Sequence, residues 1–370
     1  MRRETPTNQI IESITLNQQE MNHLKRICIL PNLTGVGGMV SFYAKLSSGL
    51  TTSGIEVVHD LKNHCDAILV IGGTRHIELL WQAHRRGIPV IQRLDGMNWV
   101  HRLRRTGLRH YLRAEYGNSL LSFIRANLAD LVVYQSQFAR TWWEREHGIT
   151  RVPSTVVYNG VDLNIYTPEG PGSPPSHKTR ILLVEGSLMG GYETGLEYAI
   201  ELTKEVARQL QIAHSRTKSD SYGSIELMVV GRVSTELKSK WDKLAVIPIK
   251  WAGLVSPEQI PEIDRSSHLL FSADVNAACP NAVIEALACG TPVAAFDTGA
   301  LPELVIGGAG RIVPFGGDPW CLDNPDISAL ARATLDILSN PLPFRLAARA
   351  YAQAAFGLDK MVTGYLDAIP

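Results

Sequence analysis

A short segment poor in apolar residues divides the chain into two halves that repeat the same alternation of strands and helices. Residues 167–179, TPEGPGSPPSHKT, are rich in proline, glycine and serine, which is typical of a linker. Apolar runs alternate with stretches of helical periodicity from Lys25 onward, and the alternation begins again at RILLVEG after the linker. Strands and helices in this order form a parallel sheet covered on both faces. The sequence therefore predicts an α/β fold with two doubly wound domains and a cleft between them.

The predicted division gives a first domain at residues 1–168, a linker at 169–179 and a second domain at 180–340. Residues 341–370 are predicted to form helices that return to the first domain. A polar insertion is expected at 211–223, before the strand SIELMVVG. The length of 370 residues exceeds what one hydrophobic core usually supports, in agreement with two domains.

The composition excludes several classes of protein. Lys+Arg and Asp+Glu number 36 each, so no strong field indicates a nucleic-acid partner. The first twenty residues lack the apolar core of a secretory signal, and no apolar run approaches the ~18 residues that a membrane helix needs. The five cysteines lack metal-ligand spacing, and several lie in apolar runs. We therefore expect a cytoplasmic protein that binds neither nucleic acid nor a structural metal.

A glycine-rich loop after the first predicted strand is one candidate ligand site. Gly35, Val36, Gly37 and Gly38 end the strand and open a helix. Glycines allow close approach of a ligand to the backbone, and the amides at a helix start favour a phosphate. Loops of this kind also serve only to reverse the chain, so the loop alone leaves both interpretations open.

The stretch CPNAVIEALACGTPVAAFDTGALPELV, residues 279–305, carries the strongest signal. Pro280 allows a helix to start near Asn281, where the amides of Asn281 and Ala282 would form an anion site. Glu285 is the only carboxylate in this apolar helix, and a buried acid needs a partner. Sugar hydroxyls are suitable donors to it, and hydrogen bonds to neighbouring backbone are the structural alternative.

With these residues the sequence resembles the family-4 retaining glycosyltransferases. The resemblance rests on IEALACGTPVAAFDTGALPELV, on VVYNGVDLNIYTP at the end of the first domain, on ADLVVYQSQF, and on the Gly37-Gly38 loop. It implies the GT-B architecture, in which two Rossmann-like domains face a central cleft. It also implies sugar transfer from a nucleotide-diphosphate donor with retention of configuration. No metal or other cofactor is expected, since helix termini and cationic side chains stabilise the leaving diphosphate.

The resemblance assigns the donor mainly to the second domain. Glu285 matches the glutamate that binds the ribose hydroxyls in the family. Asn281 and Ala282 match positions whose backbone amides contact the leaving group or the transferred sugar. Four further positions would border the base and the diphosphate, namely Leu254 and Val255 for the base and Gly37 and Gly38 for the diphosphate.

Three polar residues of the family pattern are absent. Ala277 stands eight residues before Glu285, where the family has a second acid. In VEGSLMGGYETG, Ser187 takes the place of a phosphate-binding arginine, and Glu193 or Thr194 takes the place of a lysine. Each lost charged donor costs roughly 2–3 kcal/mol or more at a diphosphate site. Other cations must therefore supply the charge, or the site is inactive.

Arg232 and Arg93 are the predicted replacements for these cations. Arg232 follows the strand LMVVG at its carboxyl end, and Arg93 lies two residues before Asp95 on one face of IPVIQRLDG. As catalytic residues, Asp95 would orient the acceptor hydroxyl with Arg93 beside it, while the donor phosphate takes the proton. The alternative is a structural ion pair between the two.

The stretch HRLRRTGLRHYLRAEY, residues 101–116, holds five arginines and two histidines. It is either a solvated helix face or a basic amphipathic element that contacts anionic lipid at the inner face of the membrane. Its apolar residues are Leu103, Leu108, Tyr111 and Leu112.

The function expected from these features is transfer of a sugar from a nucleotide-sugar donor to an envelope, lipid-linked or other saccharide acceptor. Two alternatives stay open at this stage. One is a catalytically impaired scaffold that still binds nucleotide sugars, which the absent polar residues favour. The other is a nucleotide-sugar epimerase, because a fold does not determine a reaction.

Overall fold

The chain forms two six-stranded parallel sheets, each covered by helices. The computed structural model describes residues 24–35, 37–104, 107–189, 193–217 and 224–369. The expected absence of a secretory signal falls on the first twenty residues, which lie outside these ranges, as does Val36 of the glycine-rich loop. Within the described ranges, none of the helices combines the length and hydropathy that a membrane span requires.

The first sheet has the strand order β2-β1-β3-β4-β5-β6. Every residue of the central strands β3 and β4 is buried, as expected where helices cover both faces. Its strands are β1 (Arg26–Leu30), β2 (Glu56–Val58), β3 (Ala67–Ile71), β4 (Val90–Leu94), β5 (Leu131–Tyr134) and β6 (Ser154–Val156). Its helices are α1 (Gly38–Thr52), α2 (Ile77–Arg85), α3 (Val100–Leu103), α4 (Leu108–Asn127) and α5 (Gln137–His147).

The second sheet has the order β12-β11-β10-β7-β8-β9, so β7 and β10 lie side by side at its centre. Its strands are β7 (Lys178–Ser187), β8 (Ser224–Arg232), β9 (Ile249–Gly253), β10 (Leu269–Ser272), β11 (Val293–Phe296) and β12 (Gly310–Val313). Its helices are α6 (Glu193–Thr217), α7 (Thr235–Leu244), α8 (Ile260–Arg265), α9 (Asn281–Ala288), α10 (Leu301–Leu304) and α11 (Ile327–Ser339). Two 3-10 turns, Pro257–Gln259 and Pro319–Cys321, complete this half.

The segment between the domains is held against the second domain. Arg265 of α8 donates hydrogen bonds to the carbonyl oxygens of Pro171, at 2.7 Å, and Thr167, at 3.0 Å. β7 already begins at Lys178, so the predicted linker 169–179 ends in the strand. The composition of the segment indicates a lack of regular structure, but it does not reveal the arginine that fixes its path.

Two further predictions differ from the structure. The expected polar insertion 211–223 is helical as far as Thr217, because α6 continues, and residues 218–223 lie outside the described ranges. In the segment 341–370, α12 (Pro341–Ala355) packs on α9 of the second domain. Only α13 (Leu358–Leu366) returns to the first domain, where it packs on α1.

Candidate functional site

The two domains meet where α1 and α9 begin. The Asn281 side-chain amide donates to the carbonyl oxygen of Gly38 at 3.1 Å. A Cβ placed on Gly186, near the end of β7, would lie 3.6 Å from the Cα of Gly37. Glycine on both sides makes this approach possible, because no side chain separates the two backbones. Gly37 and Gly38 of the glycine-rich loop therefore face the second domain.

Asn159 connects the start of α9 to the first domain. Its side-chain amide donates to the Cys279 carbonyl oxygen and to Asn281 Oδ1, both at 2.9 Å. Its own Oδ1 accepts a hydrogen bond from Arg93 Nη2 at 3.3 Å. The start of α9 at Asn281, after Pro280, agrees with the sequence prediction. Asn159 lies in the motif VVYNGVDLNIYTP, but its contact with a residue more than a hundred positions away carries no local signal.

Glu285 forms an ion pair with a side chain of the other domain. Lys45 Nζ, on α1, lies 2.6 Å from Glu285 Oε1, and the side chains are only 16% and 10% exposed. The same ammonium lies 5.4 Å from the centre of the Tyr166 ring. The structural alternative for Glu285, hydrogen bonds to neighbouring backbone, is therefore not what the fold provides. Sequence reasoning did not identify Lys45, because one lysine on an amphipathic helix carries no distinguishing signal.

Arg93 is enclosed in the first domain. Its side chain is 1% exposed, and its guanidinium lies 3.7 Å from the centre of the Phe42 ring. Nε and Nη1 have no hydrogen-bond partner among the described residues. The prediction that Arg93 replaces a phosphate-binding cation is therefore not supported in this conformation, because a ligand in the cleft cannot reach it.

Asp95 follows β4 and stays partly accessible. Its Oδ2 lies 3.9 Å from Arg93 Nη1, at the outer limit for an ion pair. Burial raises the pKa of the Asp95 carboxyl, and the charge of Arg93 only partly opposes this. Asp95 thus lies at the carboxyl end of a strand, the usual place for a group that contacts substrate in such sheets.

Arg232 lies beside Ser187, the position at which the family pattern has an arginine. Ser187 ends β7, Arg232 ends β8, and the two are paired in register. Both side chains are exposed. Among the described residues, the Arg232 guanidinium has no hydrogen-bond or ion-pair partner. A cation is therefore present at this edge of the sheet, one strand away from where the family pattern has it.

Two carboxyl groups that the sequence analysis did not single out lie near this edge. Glu185 is near the end of β7, and Asp274 follows the neighbouring strand β10. Burial, together with the nearby Asp274, raises the pKa of Glu185 to about 8. A pKa above 7 favours the uncharged form of Glu185 at neutral pH. Ala277, at the position of the absent acid, is buried, and a side chain on Gly299 would clash with the Ala277 backbone.

The predicted wall of the base pocket follows β9. Leu254 is 48% exposed, whereas Val255 is partly buried against the core around α9. Ala282, in the first turn of α9, packs on the same core. The two residues of the wall therefore differ in exposure, and Leu254 is the one available to a ligand.

Two further contacts hold the domains together. Glu303 of α10 accepts hydrogen bonds from the backbone amides of Gln137, at 2.9 Å, and Phe138, at 2.6 Å, at the start of α5. It also accepts one from the Tyr158 hydroxyl at 2.9 Å.

The second contact is the Trp320 ring of the second domain, which packs among aromatic rings of the first domain. Its partners are Trp99, Phe138 and Trp142, with Arg145 over the ring.

Comparisons with known proteins agree with this arrangement. The family model "Glycosyltransferase Family 4" matches residues 15–165, and "Glycosyl transferases group 1" matches residues 179–340, so together they span most of the chain. No curated protein is significantly similar to the chain in sequence.

Several solved structures share the fold. Sucrose-phosphate synthase from Thermosynechococcus elongatus is 16% identical with a TM-score of 0.67, over 92% of this chain and 97% of that one. Anabaena HepE in complex with UDP-glucose is 14% identical with a TM-score of 0.63, over 92% and 98%. WaaG, a glycosyltransferase involved in lipopolysaccharide biosynthesis, is 12% identical with a TM-score of 0.66, over 93% and 99%. At these identities the likeness shows the fold alone. The two family matches and the paired parallel sheets together show that the chain belongs to the family-4, group-1 glycosyltransferases of the GT-B fold.

Proposed function

We propose that this glycosyltransferase binds a nucleoside-diphosphate sugar between its two domains and transfers the sugar, with retention of configuration and without a metal, to a saccharide or lipid-linked acceptor. The observation that carries the proposal is the exposed Arg232 beside Ser187, since it returns a cation to the diphosphate site. The amides at the start of α9 would add a partial positive charge. A Cβ on Gly186 would lie 3.6 Å from the Cα of Gly37, so the glycine-rich loop would border the bound diphosphate from the first domain.

The other predicted residues receive roles within this proposal. Glu285 would accept hydrogen bonds from the ribose hydroxyls, and Leu254 would contact the base. Asp95 would orient the acceptor hydroxyl while a phosphate oxygen of the donor takes its proton. Arg93 would act only indirectly, through Asp95 and Asn159, because it is buried. HepE was solved with UDP-glucose and with UDP, so UDP is the first nucleotide to test.

A lipid-linked acceptor accords with the surface of α4. Leu108, 75% exposed, projects with Tyr111 and Leu112 from the first two turns of this helix, where Arg109 and Arg113 are also exposed. An apolar strip next to arginines favours binding to an anionic membrane surface. We expect the protein to co-sediment with vesicles containing anionic phosphatidylglycerol, and Leu108→Glu with Leu112→Glu to abolish this. Equal sedimentation of the variant would leave the solvated-helix interpretation.

Thermal unfolding in the presence of UDP, GDP, ADP and CDP tests the proposed donor site. A ligand at one hundred times its dissociation constant adds about 2.7 kcal/mol of apparent stability, which is readily measured. We expect one of the four to raise the melting temperature clearly, and Glu285→Ala to remove the effect. If none of them does so at millimolar concentration, the substitutions at Ser187 and Ala277 have removed donor binding and the proposal is wrong.

The impaired scaffold is the second candidate function, and the buried Ala277 in place of an acid favours it. This function predicts that the protein binds a nucleotide sugar but does not release the nucleotide from the sugar. An epimerase would instead convert the donor with no acceptor present. The protein is incubated with a nucleotide sugar whose base gave the largest rise in melting temperature, and the products are analysed by NMR. This distinguishes the glycosyltransferase, the impaired scaffold and the epimerase.

A further inference from the structure

The ion pair between Lys45 and Glu285 joins the two domains inside the cleft. Lys45 lies on α1, Glu285 lies on α9, and the two atoms are 2.6 Å apart with little access to solvent. A buried ion pair is seldom more stable than well-packed apolar residues of the same size, because both charges lose their hydration. Stability alone therefore does not account for a lysine at this place.

A second acid, Asp264, lies close enough to Glu285 and Lys45 for their charges to affect its pKa. Asp264 of α8 is buried, and its Oδ2 has no hydrogen-bond partner among the described residues. Burial, and then the charge of Glu285, raise the pKa of Asp264 well above its ordinary value, and the charges of Arg265 and Lys45 oppose this shift. Among the described residues, the Lys45 ammonium forms an ion pair with Glu285 alone.

Both partners of the ion pair have unused hydrogen-bonding capacity. An ammonium has three N–H donors, and Lys45 uses one of them on Glu285 Oε1. A carboxylate can accept on both oxygens, and Glu285 Oε2 has no hydrogen-bond partner among the described residues. A ribose hydroxyl could therefore donate to Oε2 while Lys45 keeps its contact with Oε1. The two remaining N–H groups of Lys45 could then donate to an oxygen of the phosphate attached to that ribose.

We propose that Lys45 supplies, from the first domain, the second cation of the diphosphate site. The family pattern has that cation in the second domain, at the place of Glu193 or Thr194. The inference rests on the proposed function, because it requires a nucleotide whose ribose contacts Glu285. With Arg232 on one side of the cleft and Lys45 on the other, both cations can contact the diphosphate only when the domains are together. Closure of the cleft and binding of the donor are thereby coupled.

Binding constants for a set of related nucleotides test this role. The probes are the diphosphate, the monophosphate and the nucleoside of whichever base the wild-type chain binds most tightly among UDP, GDP, ADP and CDP. The variants are Glu285→Gln and the double variant Lys45→Met with Glu285→Gln. The double variant avoids leaving a buried carboxylate without a partner, and Glu285→Gln is its matched control. Lys45→Arg in the wild-type background keeps the charge and checks that the site tolerates a substitution.

We expect the double variant to bind the diphosphate at least tenfold more weakly than Glu285→Gln does, a difference of about 1.4 kcal/mol. Both variants should bind the nucleoside equally, and Lys45→Arg should retain most of the affinity for the diphosphate. An equal loss for nucleoside and diphosphate would show that Lys45 only supports Glu285. Tighter nucleoside binding without Lys45 would show that the lysine competes with the ribose, and either result overturns the inference. If the wild-type chain binds none of the four diphosphates, the proposed function fails and the inference fails with it.

Discussion

Replacing Arg232 with methionine should weaken binding of the nucleoside diphosphate, and returning an arginine at Ser187 should restore it. The two positions are paired in register on neighbouring parallel strands. Such strands are about 4.8 Å apart, less than the length of an arginine side chain. A guanidinium at either position can therefore reach the same phosphate, which makes the pair suitable for a rescue experiment.

The expected loss follows from one hydrogen bond to a charged group, which is worth roughly 1.5–3 kcal/mol. That range corresponds to a change of about 10- to 150-fold in the dissociation constant. We expect the lower end, about tenfold, because Arg232 is exposed and its charge is screened by solvent. Isothermal titration calorimetry at low and high salt measures the dissociation constants of the wild type and Arg232→Met. The difference in affinity between the two should shrink as the salt concentration increases.

Two controls accompany this experiment. Lys250→Met removes an exposed cation near the start of β9, away from the carboxyl ends of the strands, and should leave the affinity unchanged. The melting temperature of Arg232→Met without ligand should match that of the wild type, since the side chain is exposed. Unchanged diphosphate affinity in Arg232→Met, or no recovery when Ser187→Arg is added, would refute the role of this edge of the sheet.

Three further predictions concern the contacts around the cleft. Glu303→Gln should lower the free energy of unfolding in urea by about 2 kcal/mol, because a charged acceptor of three hydrogen bonds is lost, and an unchanged midpoint would contradict this. Trp320→Ala removes three aromatic contacts of roughly 0.5–1.5 kcal/mol each and should increase the radius of gyration in X-ray scattering; an identical radius would assign closure to other contacts. The fold raises the pKa of Glu185 from 4.5 to about 8, so the folded chain favours the protonated carboxyl. The stability that this protonated form contributes is lost as pH rises from about 4.5 to about 8. The wild type should therefore lose stability relative to Glu185→Gln between pH 5 and 8, whereas parallel pH profiles would place Glu185 in water.

Much of the second domain was predictable from the sequence because its signals are local. Proline before a helix start, an apolar helix with one acid and strands bounded by turn residues all lie within a few positions of each other. α9 accordingly begins at Asn281, and Glu285 is buried, as the sequence indicates. Short strands such as β6 and β12 were not predicted, because three or four residues give too little periodicity.

The partners of the site residues were not predictable, since they come from the other domain. Lys45 is separated from Glu285 by 240 residues, and Asn159 from Asn281 by 122. Arg93 shows the opposite failure. Its alternation with Asp95 indicates that the two side chains lie close together, and they are 3.9 Å apart. Periodicity does not show that Phe42 packs over the Arg93 guanidinium.

Release of a nucleoside diphosphate from a nucleotide sugar tests the central claim most directly. The measurement uses UDP-glucose, GDP-mannose and ADP-glucose in turn, with EDTA present, and compares the wild-type chain with Glu285→Gln. The account predicts that one donor releases its diphosphate in the wild type, that EDTA does not prevent this, and that Glu285→Gln reduces the rate at least tenfold. Equal rates in the two proteins, or a wild type that binds the diphosphate but releases none from any donor, would contradict it.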